Sequence, residues 1–83
     1  MAYLPKENLA SNASIAGRKH GDVGRWEYGF FVDGGEKYVQ LNTYAARDIG
    51  DKEVPKQIFQ MNKATASKLV DDLIKGFELK YGN

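Results

Sequence analysis

The sequence predicts an α+β domain: a four-stranded antiparallel sheet followed by one C-terminal amphipathic helix, paired into a dimer. Three observations carry this. The turn Asp33-Gly34-Gly35-Glu36 sits between two runs of alternating apolar residues, the signature of a hairpin. Beyond Asn62, the residues Ala66, Leu69, Val70, Leu73 and Phe77 fall on one stripe of helical period. Finally, the chain has 83 residues and no cysteine. A domain this small buries little surface, and no disulfide or cysteine-based zinc site reinforces it, so oligomerisation is the expected supplement.

In chain order, residues 1–12, "MAYLPKENLASN", mix Pro, Asn and Ser without periodicity and read as a flexible N-terminal arm. Residues 13–83 form a single domain. Its first strand is expected at about 14–19, ending in a Gly-Asp turn. The hairpin strands follow at 25–33 and 37–45. A two- or four-residue loop pairs Val32 with Lys37, Phe30 with Val39, Tyr28 with Leu41 and Trp26 with Thr43. Opposed residues share a face, so Trp26, Tyr28, Phe30, Val32, Val39 and Leu41 are the expected core. A fourth strand is expected at about 56–61, "KQIFQM", after a charged connection containing Gly50 and Pro55. Asn62 is a suitable N-cap for a helix over about 63–80, stopped by Gly82.

Composition narrows the function classes. The chain has 12 basic and 11 acidic residues, less basic than a dedicated duplex-DNA binder, which gains its affinity from neutralised phosphates. No stretch is long and apolar enough to span a bilayer, and the first twenty residues hold no signal-peptide run, so a cytoplasmic protein without membrane partners is expected. Nucleophile, P-loop and dinucleotide motifs are absent, and the one histidine, His20, lies in a Gly-flanked turn beside Arg18 and Lys19. Asp48, Asp51 and Glu53 lack the alternate spacing of a calcium loop. The expectation is a non-enzymatic protein with no catalytic residues, metal or cofactor.

The second face of the hairpin stands above this background. It pairs Phe31 with Tyr38, Gly29 with Gln40, Glu27 with Asn42 and Arg25 with Tyr44. Aromatic rings among amides and a cation suit single-stranded nucleic acid, since bases stack on rings while cations track the backbone. The same rings would also suit packing beneath the N-terminal arm or a second subunit.

From Gly35 to Leu69 the run "GEKYVQLNTYAARDIGDKEVPKQIFQMNKATASKL" resembles the C-terminal single-stranded-DNA-binding domain of the transcriptional positive cofactor four (coactivator) family. The likeness rests on Val39 and Leu41 leading to Tyr44, on Gly50 and Pro55, on Met61 with Asn62, and on Leu69 with Leu73. It implies four antiparallel strands and one helix, a symmetric dimer through the helices, and single strands running along the sheets. Where the family tends to carry an Arg before its Tyr, this chain has Asn42, and Ala45 replaces an aromatic just after it. Phe31 and Gly34 stand where basic residues are usual, leaving Lys37, Lys52 and Lys56 as the substitute cations.

The expected activity is therefore homodimeric binding of single-stranded DNA or RNA in transcription, replication or repair. The expected contacts are Arg25, Phe31, Lys37, Tyr38, Gln40, Asn42, Tyr44, Lys52 and Lys56. The expected dimer contacts are Val70, Ile74, Phe77 and Tyr81. The rival expectation is a small protein-interaction module, a regulator or inhibitor of phage type, docking a protein partner through the same aromatic face.

Overall fold

A computed structural model describes residues 1–45 and 54–80. Its elements are β1 (Ala2–Tyr3), a 3-10 turn (Lys6–Asn8), β2 (Arg25–Asp33), β3 (Glu36–Tyr44), β4 (Gln57–Asn62) and α1 (Lys63–Phe77). The four strands form one sheet in the order β1-β4-β3-β2, and with the C-terminal helix this is an α+β fold. Among the described residues no helix is long and apolar enough to cross a membrane.

The hairpin forms as the glycine pair dictates. Gly34 and Gly35 take φ of 61° and 80°, a conformation that residues with a Cβ adopt at a cost. The resulting two-residue turn pairs Asp33 with Glu36, and the register runs unbroken to Arg25 opposite Tyr44. Every predicted cross-strand pair is present. β4 continues the sheet antiparallel to β3, placing Phe59 beside Leu41 and Met61 beside Val39.

Asn62 ends β4 and starts α1. Its side-chain oxygen accepts from the Thr65 N–H at 3.1 Å, satisfying one of the donors that a helix start leaves unpaired. At the other end Glu78 takes a left-handed φ of 55° while the Leu79 N–H reaches back to the Ile74 carbonyl at 2.9 Å. The helix thus stops before Gly82, which lies outside the described residues.

Two expectations for the N-terminal part are corrected. Residues 14–19 form no strand; the stretch from Leu9 to Gly24 contains no regular element. The fourth strand is instead Ala2–Tyr3, inside the expected flexible arm, and it pairs parallel to β4, so the sheet is mixed rather than antiparallel. The arm is tied down twice: the Leu4 N–H donates to the Gln60 carbonyl at 2.8 Å, and the Thr65 hydroxyl donates to the Leu4 carbonyl at 2.8 Å. Thr65 is buried as a result.

The expected core is also corrected. Trp26, Tyr28, Phe30 and Val32 do share one sheet face, but they are 62%, 67%, 65% and 66% exposed. The reason is placement. α1 makes its main contacts with β4 and the 3-10 turn, at the far side of the sheet from β2. Among the described residues, the buried apolar side chains are Tyr44 and Met61, each 7% exposed.

Candidate nucleic-acid interface

The opposite sheet face is polar and aromatic. Residues at alternate positions bring Arg25, Glu27, Gly29 and Phe31 of β2 beside Tyr44, Asn42, Gln40 and Tyr38 of β3. Ile58, Gln60 and Asn62 of β4 continue the rows, and Tyr3 of β1 lies next to Gln60.

A ladder of side-chain hydrogen bonds crosses three strands and ends on one carboxylate. Gln60 Nε2 donates to Gln40 Oε1 at 2.7 Å, and Gln40 Nε2 donates to Asn42 Oδ1 at 2.9 Å. Asn42 Nδ2 donates in turn to Glu27 Oε2 at 2.9 Å. The Tyr44 hydroxyl reaches the same oxygen at 2.8 Å, while Arg25 Nη1 reaches Glu27 Oε1 at 2.8 Å. The Asn42 and Tyr44 hydrogen bonds, with Arg25 beside them, hold the Glu27 carboxyl below the usual carboxylate range of 4.5. The same Glu27 contact raises the Tyr44 phenol. Such a chain polarises its members and fixes their rotamers.

Beside the ladder is a row of rings. Phe31 and Tyr38 stack with centroids 5.3 Å apart and planes at 23°. Tyr3 meets Tyr38 edge-on at 6.0 Å and 77°. Glu36 anchors the row, accepting from the Tyr38 hydroxyl at 2.9 Å and from Asn62 Nδ2 at 3.2 Å, and the former bond raises the Tyr38 phenol. Two shallow grooves flank the rings. One, of about 320 Å³, is lined by Glu27, Gly29, Phe31, Gln40 and Asn42 among others. A Cβ added at Gly29 would meet nothing within 4 Å, so the backbone here borders open space. The other, also about 320 Å³, is lined by Tyr3, Phe31, Asp33, Tyr38 and Gln60.

The predicted contact residues separate into three groups. Phe31, Tyr38, Gln40 and Asn42 come together on this face. Arg25 and Tyr44 close one end of it: the guanidinium lies 4.1 Å from the Tyr44 ring centroid, and Tyr44 is buried, a support for the face rather than an open ring. Lys37 projects from the other side, its ammonium 5.6 Å from the Phe30 ring centroid, as its pairing with Val32 requires. Lys56 is exposed just before β4, its N–H donating to the Thr43 carbonyl at 2.7 Å. Lys52 lies outside the described residues.

Four participants escaped the sequence reading: Glu27 as hub, Glu36, Gln60 and Tyr3. Glu27 was legible as the partner of Asn42, two residues from Arg25, and Gln60 from the alternation of β4. Tyr3 gave no signal, since its place depends on a parallel pairing formed across the chain. Among the described residues, no three His, Cys, Asp or Glu side chains gather as a metal site would. Comparison with protein-family models, curated proteins and solved structures finds no match to this chain.

Proposed function

We propose that this protein binds single-stranded nucleic acid, DNA or RNA, along the polar face, without catalysing a reaction. The observation that carries the reading is the row Tyr3, Tyr38 and Phe31 set beside the Gln60–Gln40–Asn42 ladder on an open sheet face with grooves on either side. Planar bases have a π-face whatever their sequence, and stacking contributes roughly 1–3 kcal/mol per base. The amides offer donors and acceptors to base edges. A binder of this kind acts in transcription, replication or repair, and a cytoplasmic location suits it.

Stacking must dominate phosphate neutralisation here. Arg25 is engaged by Glu27 and Tyr44, and Lys37 faces away. Labelled single-stranded and duplex oligonucleotides, titrated at two salt concentrations, test the reading. Single strands bind more tightly than duplex, and with a shallow salt dependence. No single-strand binding at low salt overturns it.

The second reading is a protein-interaction module using the same face. The placement of Glu27 and Glu36 within it favours this, since carboxylates repel phosphate yet pair with the basic groups of a protein partner. The same titration separates the two readings.

A further inference from the structure

The apolar sheet face is the largest feature that the nucleic-acid reading leaves unused. Trp26, Tyr28, Phe30 and Val32 line β2, and Val39 and Leu41 extend their rows onto β3. Four large side chains more than three-fifths exposed in one row form a contiguous patch of a kind that monomeric proteins seldom carry. Lys37 is the one cation placed on this patch by the register, its ammonium 5.6 Å from the Phe30 ring centroid, leaving the patch otherwise uncharged.

The helix has a matching surplus. Val70, Leu73 and Phe77, spaced along one flank of α1, are 50%, 42% and 72% exposed. Ile74, by contrast, is half-buried within its own chain. Each chain therefore carries an uncovered apolar sheet and an uncovered apolar ridge. A two-fold operator presents both to a second copy at once.

The area agrees. A folded chain of 9.3 kDa ordinarily exposes about 5,000 Å², whereas this one exposes 7380 Å². Part of the difference lies in residues 9–24, which form no regular element. A further part lies in the uncovered apolar side chains of β2 and α1. Among the described residues only two apolar side chains are buried, a core too small to hold the sheet until an unrelated partner arrives. A second copy is present whenever the chain is made.

We propose that the face bearing Trp26, Tyr28, Phe30 and Val32 is the inner surface of an obligate homodimer, covered by a second copy of this chain. This places the sheet, and not the helix flank alone, in the interface. It leaves both polar faces on the outside, and it rests on the fold rather than on any ligand.

The single tryptophan, Trp26, reads the proposal directly in the wild-type protein. Sedimentation and acrylamide quenching of Trp26 fluorescence are measured together over a dilution series. The expected result is a dimer at micromolar concentration with blue-shifted emission and quenching several-fold weaker than for the unfolded chain. Both shift toward the exposed values as the dimer dissociates. Phe30→Lys is expected to weaken the dimer at least tenfold. A monomer at micromolar concentration overturns the proposal, as does a dimer whose Trp26 is quenched as readily as in the unfolded chain. An unaltered dimer in a folded Phe30→Lys variant also overturns it. Oligonucleotide binding enters none of these readouts, so failure here is distinct from failure of the nucleic-acid reading.

Discussion

Glu27 and Asn42 face each other across β2 and β3, and the Asn42 amide donates to the Glu27 carboxylate at 2.9 Å. This pair joins the amide ladder to the Arg25–Tyr44 end of the face, so the charge on Glu27 organises the polar surface from one edge.

That charge gives the fold a pH signature. The Asn42 and Tyr44 hydrogen bonds lower the Glu27 pKa in the folded state, so its stabilising contribution is present above the ordinary value of 4.5. It is lost as pH falls through the lower, folded value. Glu27→Gln should melt at a lower temperature than wild type at pH 7, and the two should converge as pH falls below the ordinary value of 4.5 and through the lower, folded value. Thermal melts between pH 3 and pH 7 check this; curves that stay parallel would sink it.

Tyr44 and Tyr38 should separate stability from binding. Tyr44 is buried and hydrogen-bonded to Glu27, so Tyr44→Ala is expected to cost about 3 kcal/mol of folding stability. Tyr38 is half-buried, stacked on Phe31, and its ring is proposed to take a base. Tyr38→Ala should cost less stability and weaken single-strand binding by roughly 1–3 kcal/mol. Denaturant titration and fluorescence anisotropy measure the two effects. Equal losses of stability would remove Tyr38 from the proposed contacts.

The helix end offers a gain. Glu78 sits at φ 55°, where a Cβ is strained and glycine is not. Glu78→Gly should stabilise the protein by about 0.5–1 kcal/mol, raising the melting temperature without altering oligonucleotide affinity. A lower melting temperature would show that the Glu78 side chain contributes more than its backbone strain costs.

The hairpin register was legible residue by residue, because two glycines fixed the turn and alternation fixed the rows. Asn62 likewise marked the start of α1. What alternation cannot state is which face is covered: it grouped Trp26 with Phe30 correctly, yet their cover depends on where α1 lands, a tertiary matter. The parallel pairing of Ala2–Tyr3 with β4 was invisible for the same reason, since two residues carry no period. The Lys37 position was already implied by its pairing with Val32, which sets it against Phe30 and away from Tyr38. The dimer contacts expected on α1 divide similarly: Val70 and Phe77 are exposed and Ile74 is half-buried, while Tyr81 lies outside the described residues.

Single strands are proposed to lie on the polar face. Backbone amide shifts of the isotope-labelled protein, followed by NMR as a short oligothymidine is added, test it most directly. The expected result is saturable shifts centred on Tyr3, Phe31, Tyr38, Gln40 and Gln60, with Tyr28, Phe30 and Val39 less affected. Shifts centred on the Trp26–Val32 face, or none at saturating oligonucleotide, would contradict it.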